Sequence, residues 1–218
     1  MELIYMYAVI TGDLVKSEIF IKNRREVLDI LNTVLVELNT KWGDADLWVS
    51  NIYRGDSFQI VTNDAEQALR IALFIRAQLM QCDVTGISLE ARVAVGIGDI
   101  EYLDRNSIAS SDGEAFRLSG RSLEEIAAYR RLIIKTSNEA LNQVLEVLSA
   151  LIDAVSLRWS REQAAAISHW IFGATQVAMA ETMDISQSAI QQRLQRAGHY
   201  ALDTCLKHFK SILSNYKV

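Results

Sequence analysis

Two hydrophobic periods alternate along residues 4–136, and their order leaves few folds open. Residues 4–12 are a β-branched and aromatic run, closed by Gly12-Asp13, which reads as a buried strand. Val27, Leu28, Leu31, Val34, Leu35 and Leu38 then recur with a helical period over 21–41, and Trp42-Gly43-Asp44 ends that helix. Two strands, about 47–53 and 58–62, are joined by the turn Arg54-Gly55-Asp56-Ser57 as a hairpin. A second helix over 65–81 presents Ala68, Ile71, Ala72, Phe74, Ile75 and Leu79 as its core face. Residues 88–97 alternate into a strand with Ala91, Val93 and Val95 on one side. After a polar loop at 104–112 come a helix over 113–129 and a short strand at 132–136. A long helix follows, capped by Ser137 or Asn138 and running to about 156. This is the order of a split βαβ arrangement. It predicts an α+β, ferredoxin-like fold, a mostly antiparallel sheet with helices on one face.

Residues 158–218 switch to helices alone. Ser160 caps a helix through Phe172, Gly173 breaks it, and Thr175 caps a second helix over 176–182. Met183-Asp184-Ile185-Ser186 is a turn, and Gln187 opens a third helix that runs to about Ala197. Met179, Ala180, Met183, Ile185, Ile190 and Leu194 stand where a helix-turn-helix needs core residues, with Ala180 small at the helix crossing. Asp184 occupies the position that needs positive φ, which Asp tolerates better than most residues. The outward face of the third helix then holds Gln187, Ser188, Gln191, Gln192, Arg193 and Arg196. Gln pairs with adenine edges, and Arg with guanine edges or phosphates. The same packing also serves protein-interaction and dimerisation modules, so DNA and protein both remain open as partners. Charge leans toward nucleic acid: 158–218 carries 7 Lys/Arg against 4 Asp/Glu, whereas 1–157 carries 15 against 23. The expected organisation is an α+β domain at 1–138, a connecting helix at 139–157 and an all-α helix-turn-helix domain at 158–218.

Composition removes several classes. With 218 residues, 50% of them hydrophobic and 22% charged, the chain is globular rather than disordered. Cys82 and Cys205 lie in helical patterns without metal spacing and read as reduced residues of a cytosolic protein. No basic leader precedes an apolar run and no apolar stretch reaches membrane-spanning length, so a cytoplasmic protein without membrane contact is expected. His169, His199 and His208 have no ligand spacing, and neither a phosphate-cradling glycine loop nor a nucleophile elbow is present.

Chemistry concentrates on Asp13 and Asp56. Each is a lone carboxylate at or near the end of an apolar strand. On neighbouring strands the two would converge, and a divalent cation could bridge them; turn chemistry explains both residues equally well. Arg117 and Arg121, four apart on one helix face, can face phosphates or solvent. Lys16 and Ser17 can contact phosphates from the first loop or cap the next segment.

Three stretches resemble the catalytic domain of class III nucleotide cyclases and GGDEF diguanylate cyclases, over roughly residues 4–136. They are Thr11-Gly12-Asp13-Leu14-Val15-Lys16-Ser17, then Arg54-Gly55-Asp56-Ser57-Phe58, then Ala91 to Gly98 with Asp112 to Arg121. The resemblance implies that Asp13 and Asp56 hold Mg2+ or Mn2+, and that Arg121 is the catalytic arginine meeting the phosphates of a nucleoside triphosphate. It also implies a homodimer, because cyclases assemble these parts from two subunits. Arg117 stands where cyclases carry the Asn that orients the ribose, and no purine-reading Lys/Asp pair is in place, which favours sensing over cyclisation. As a whole, with Tyr7-Ala8-Val9-Ile10-Thr11-Gly12-Asp13 near its start and a C-terminal helix-turn-helix, the chain resembles the SatD family of bacterial proteins. The expected function is a cytoplasmic bacterial regulator, a nucleotide- and metal-sensing domain coupled to a DNA-binding helix-turn-helix. The alternatives are an active Mg-dependent cyclase-type enzyme (a phosphorus-oxygen lyase or transferase) and a non-catalytic protein-interaction module.

Overall fold

The computed structural model of the chain describes residues 6–42, 47–49 and 56–215. Its strands are β1 (Tyr7–Leu14), β2 (Leu47–Val49), β3 (Ser57–Thr62), β4 (Asp83–Val84), β5 (Ile87–Ser88), β6 (Ala91–Gly98) and β7 (Leu132–Lys135). A 5-stranded sheet has the order β2-β3-β1-β6-β7, and β4-β5 form a separate hairpin. β1 is antiparallel to both its neighbours, β3 and β6, while β7 runs parallel to β6. The mixed α+β architecture and the mostly antiparallel sheet therefore agree with the order of the sequence periods. The turn proposed at 54–57 lies partly outside the described residues.

Gly12-Asp13 does not close the first strand; β1 continues to Leu14. The reason is packing. A Cβ on Gly12 would lie 2.3 Å from Cζ of Phe58 and 2.9 Å from the carbonyl oxygen of Arg92. The missing side chain is thus space for a buried ring within a strand, rather than a turn. The hairpin at 83–88 was also not expected. It turns through Thr85 and Gly86, both at positive φ, which suits a tight two-residue connection.

Helices cover both faces of the sheet rather than one. Ala8, Ile10, Leu14, Phe58 and Ile60 share a core with α1 (Arg24–Trp42), α2 (Ala68–Gln81) and α4 (Glu139–Ser156). The alternate residues Val9 and Val61 pack with Ala115 and Phe116 of α3 (Glu114–Glu125) on the opposite face. Period-two alternation assigns the two sets to opposite sides. α3 lies so close to β6 that a Cβ on Gly96 would meet the Ala115 carbonyl oxygen at 2.2 Å.

α2 is apolar around nearly its whole circumference and buried accordingly. The sheet takes one side and α5 (Arg161–Ile171) the other, where Arg70 Nη1 donates to the Ile171 carbonyl at 2.9 Å. α6 (Gln176–Thr182), α7 (Gln187–Arg196) and α8 (His199–Asn215) complete the chain. One continuous core runs from Ala8 of β1 to Leu213 of α8. α4 is more than a connector: its Leu141, Leu145 and Ile152 belong to that core, and Asn138 caps it by accepting from the Leu141 N–H at 3.1 Å.

Candidate functional site

Strand register assembles a polar surface on the α3 side of the sheet. Thr11 lies opposite Gln59, and Asp13 lies opposite Ser57 on β3 and Arg92 on β6. Directly paired residues share a face, so these side chains converge. α3 adds Phe116, Arg117, Gly120, Leu123 and Glu124, and together they line a cavity of about 570 Å3, the size of a small-molecule site. Gln59 Nε2 donates to Thr11 Oγ1 at 3.3 Å, and Thr11 Oγ1 donates to Ser119 Oγ at 3.0 Å.

Three ion pairs, made by two arginines of the lining, dominate this cavity. Arg92 grips Asp13 with both prongs, Nε to Oδ1 at 2.9 Å and Nη2 to Oδ2 at 2.5 Å. The hydrogen bonding to Asp13 raises the pKa of Arg92 above its ordinary value; burial opposes this, and the charges of Asp13 and Asp56 add to it. Arg117 reaches Glu101 Oε1 at 2.5 Å and Asp112 Oδ1 at 3.0 Å. These contacts, with Glu101 foremost, raise its pKa too.

The proposed metal pair, Asp13 and Asp56, lines two different cavities. Asp56 directly precedes Ser57, the residue that shares Asp13's face, and its carbonyl accepts from the Leu14 N–H at 3.2 Å. Its side chain lines a separate cavity of about 250 Å3 with Ser17, Phe20 and Arg24, while Ser57 Oγ donates to its Oδ1 at 3.4 Å and its charge reaches Arg92. Among the described residues no group of three or more His, Cys, Asp or Glu could hold a metal ion. With both Asp13 oxygens engaged by Arg92, that carboxylate leaves no oxygen open for a divalent cation. Of the other expected phosphate contacts, Ser17 joins Asp56, Arg117 joins Asp13, and Lys16 is exposed at φ 54 outside both cavities. Arg121 is also exposed and lines neither cavity, so the i, i+4 spacing from Arg117 does not carry it to the site. Arg54 and Gly55 lie outside the described residues.

Arg92 and Gln59 were missed as site residues. The available signal was a single charge in the apolar alternation of 91–97, facing an acid across a neighbouring strand. Arg76 and Asp153 were missed too, each a lone charge in an apolar helical run.

At the C-terminal end, Thr175 and Ser186 cap α6 and α7 by accepting from Ala178 N and Ala189 N, both at 3.2 Å. Between them Asp184 takes φ 50. Met179, Ile190 and Leu194 are buried, with Ala180, Met183 and Ile185 packed partly buried against the same core. Gln187, Ser188, Gln191, Gln192 and Arg196 are exposed, and Arg193 is half-buried. Neither Arg193 nor Arg196 forms a side-chain hydrogen bond or ion pair among the described residues; the Arg193 charge acts only at a distance on Glu162. The Ser160 hydrogen bond, foremost, then a backbone hydrogen bond and the charges of Arg193 and Arg161 lower the pKa of Glu162 against burial. No described helix is long and apolar enough to cross a membrane.

The SatD family model matches residues 7–203. No curated protein matches the chain. Among solved structures, the adenylate cyclases of Trypanosoma brucei in their monomeric state are similar over 61% of this chain and 74% of theirs, at 12% identity and a TM-score of 0.48. The adenylate/guanylate cyclase/hydrolase of Silicibacter pomeroyi is similar over 56% of this chain and 70% of its own, at 20% identity and a TM-score of 0.42.

Proposed function

The chain belongs to the SatD family, and within that family we propose that it is a DNA-binding regulator of the bacterial cytoplasm. Residues 1–138 hold a ligand cavity, 139–157 connect, and 158–218 form a helix-turn-helix that reads DNA. One observation carries the reading: among the described residues, Arg193 and Arg196 have no hydrogen-bond or ion-pair partner, and they stand on α7 beside exposed Gln187, Ser188, Gln191 and Gln192. An arginine without an internal partner is free to neutralise a backbone phosphate. Glutamines on the same helix face can read base edges in the major groove. α2 lies between the sheet and α5 and is the physical link between cavity and reader.

The regulator acts as a homodimer. On α4, Ala140, Val147, Leu151 and Ala154 are exposed and Val144 is half-buried. They recur at alternating spacings of four and three, the seam of a paired helix. A second copy is the occupant such a seam suits. Glu139 and Arg158, both exposed at its opposite ends, would face each other in an antiparallel pair. The cavity beside α3 takes a nucleotide, with Arg117 at its rim and Thr11, Ser57, Gln59 and Ser111 offering hydrogen bonds.

Selection from a randomised duplex pool tests the reading. The expected result is enrichment of two half-sites related by a dyad and spaced by about one helical turn, roughly 34–36 Å. Failure to enrich any sequence, together with capture of DNA unaffected by Arg193→Ala and Arg196→Ala, would replace DNA with a protein partner for α7.

A further inference from the structure

We propose that Arg92 is the built-in cation of the sheet cavity, standing where a divalent ion would otherwise neutralise Asp13, so that this cavity takes its ligand without metal. The proposal concerns the same cavity as the nucleotide reading above, but its metal arm does not depend on the ligand being a nucleotide.

Register fixes the arrangement. Asp13 has Ser57 on one side and Arg92 on the other, so the nearest charged neighbour on its own sheet face is a guanidinium. The contact is a fork with one nitrogen on each carboxylate oxygen, the geometry in which arginine matches a carboxylate best. A divalent ion at Asp13 would have to displace this fork or sit beside a permanent positive charge. Protons cannot relieve that conflict, because arginine does not titrate in the physiological range. The second carboxylate such an ion would need, Asp56, lines a different cavity with Ser17 and Arg24. The charges of both Asp13 and Asp56 act on Arg92, which puts its cation within electrostatic reach of both carboxylates.

The remaining charges of the lining follow the same plan. Arg117 is satisfied by Glu101 and Asp112, so neither cation depends on a ligand for its partner. Recognition then falls to the hydrogen-bonding groups of Thr11, Ser57, Gln59 and Ser111 and to the apolar edge formed by Phe116 and Leu123. A metal-bridged triphosphate needs carboxylates left open for the ion, and Asp13 is closed.

Mn2+ is the probe, followed by electron paramagnetic resonance of the full chain. The expected result is that wild type and Asp13→Asn retain Mn2+ equally poorly. Arg92→Gln, which frees the carboxylate, binds it about tenfold more tightly, and adding Asp13→Asn to Arg92→Gln removes that gain. Arg92→Lys, which keeps the charge, gains nothing. Mn2+ binding by wild type that Asp13→Asn abolishes would overturn the proposal, as would an Arg92→Gln protein that folds and gains no affinity. If Arg92→Gln fails to fold, the comparison of wild type with Asp13→Asn still decides. Calorimetry with ATP is the second arm: affinity unchanged on adding EDTA supports metal-free binding, and a tenfold loss contradicts it. Absence of any ATP binding would refute the nucleotide reading while the Mn2+ result still judges Arg92.

Discussion

Arg76 of α2 and Asp153 of α4 meet in the interior, Nη1 to Oδ1 at 3.0 Å, with side chains 0% and 4% exposed. The other Asp153 oxygen accepts from Arg130 Nε at 3.1 Å and from the backbone N–H groups of Arg131 at 2.9 Å and Leu132 at 3.2 Å. One carboxylate thus ties α2, α4 and the entrance to β7 together. Burial lowers the pKa of Arg76, and the Asp153 charge opposes that shift.

Removing that carboxylate should cost far more than a surface pair would. Asp153→Ala leaves a buried cation uncompensated and orphans two backbone donors, so a loss of about 3–5 kcal/mol is expected in urea unfolding. Arg76→Met with Asp153→Leu should recover part of it, because the stranded charge is gone. It should not recover all, because the Arg131 and Leu132 N–H groups stay unpaired. A single variant within about 1 kcal/mol of wild type would show that water reaches this site.

Gly12→Ala should destabilise the sheet centre. The new methyl would stand 2.3 Å from the Phe58 ring, and overpacking of this kind costs about 1–3 kcal/mol. Phe58→Leu in the same chain should restore some of the loss by opening the space. A thermal melt of the single and double variants reads both effects; an unchanged Tm for Gly12→Ala would mean the Phe58 ring is free to move aside.

Burial pushes the His169 imidazole below its ordinary pKa; the Lys41 charge adds to that and Glu37 opposes it. A base with a depressed folded pKa holds more protons unfolded than folded. It therefore subtracts stability as pH falls through its ordinary value of about 6.5, and the loss is complete below the folded pKa. Unfolding free energies measured from about pH 8 down to pH 5 should fall more steeply for wild type than for His169→Gln. Parallel curves would mean that His169 is not desolvated.

Local signals in the sequence led directly to local structure. Thr175 and Ser160 cap the helices they were expected to cap, and Asp184 takes the positive φ its position demands. Sequence periodicity assigns α2 one core face, whereas the structure buries it on nearly every side, because its outer cover, α5, comes from far along the chain. The site was harder to read. Asp13 and Asp56 sit in motifs of the right order, but a motif does not state which sheet face a residue at its edge will take. Asp56 stands one residue outside β3, in the turn before Ser57, the partner of Asp13, so strand alternation does not fix where its carboxylate goes. Arg92 was hidden because only the pairing of β1 with β6, set by contacts distant in sequence, makes it the neighbour of Asp13.

The reading of α7 as the DNA-reading helix is tested most directly by salt. Fluorescence anisotropy of a labelled duplex, titrated with the full chain across a range of KCl concentrations, gives the slope of log affinity against log salt. Each phosphate contact contributes about 0.9 to that slope. Arg193→Ala and Arg196→Ala should each weaken binding and flatten the slope by about that amount, with the fold unchanged because neither side chain makes a hydrogen bond or ion pair among the described residues. A wild-type protein that fails to retain DNA at low salt, or a slope untouched by both substitutions, would contradict it.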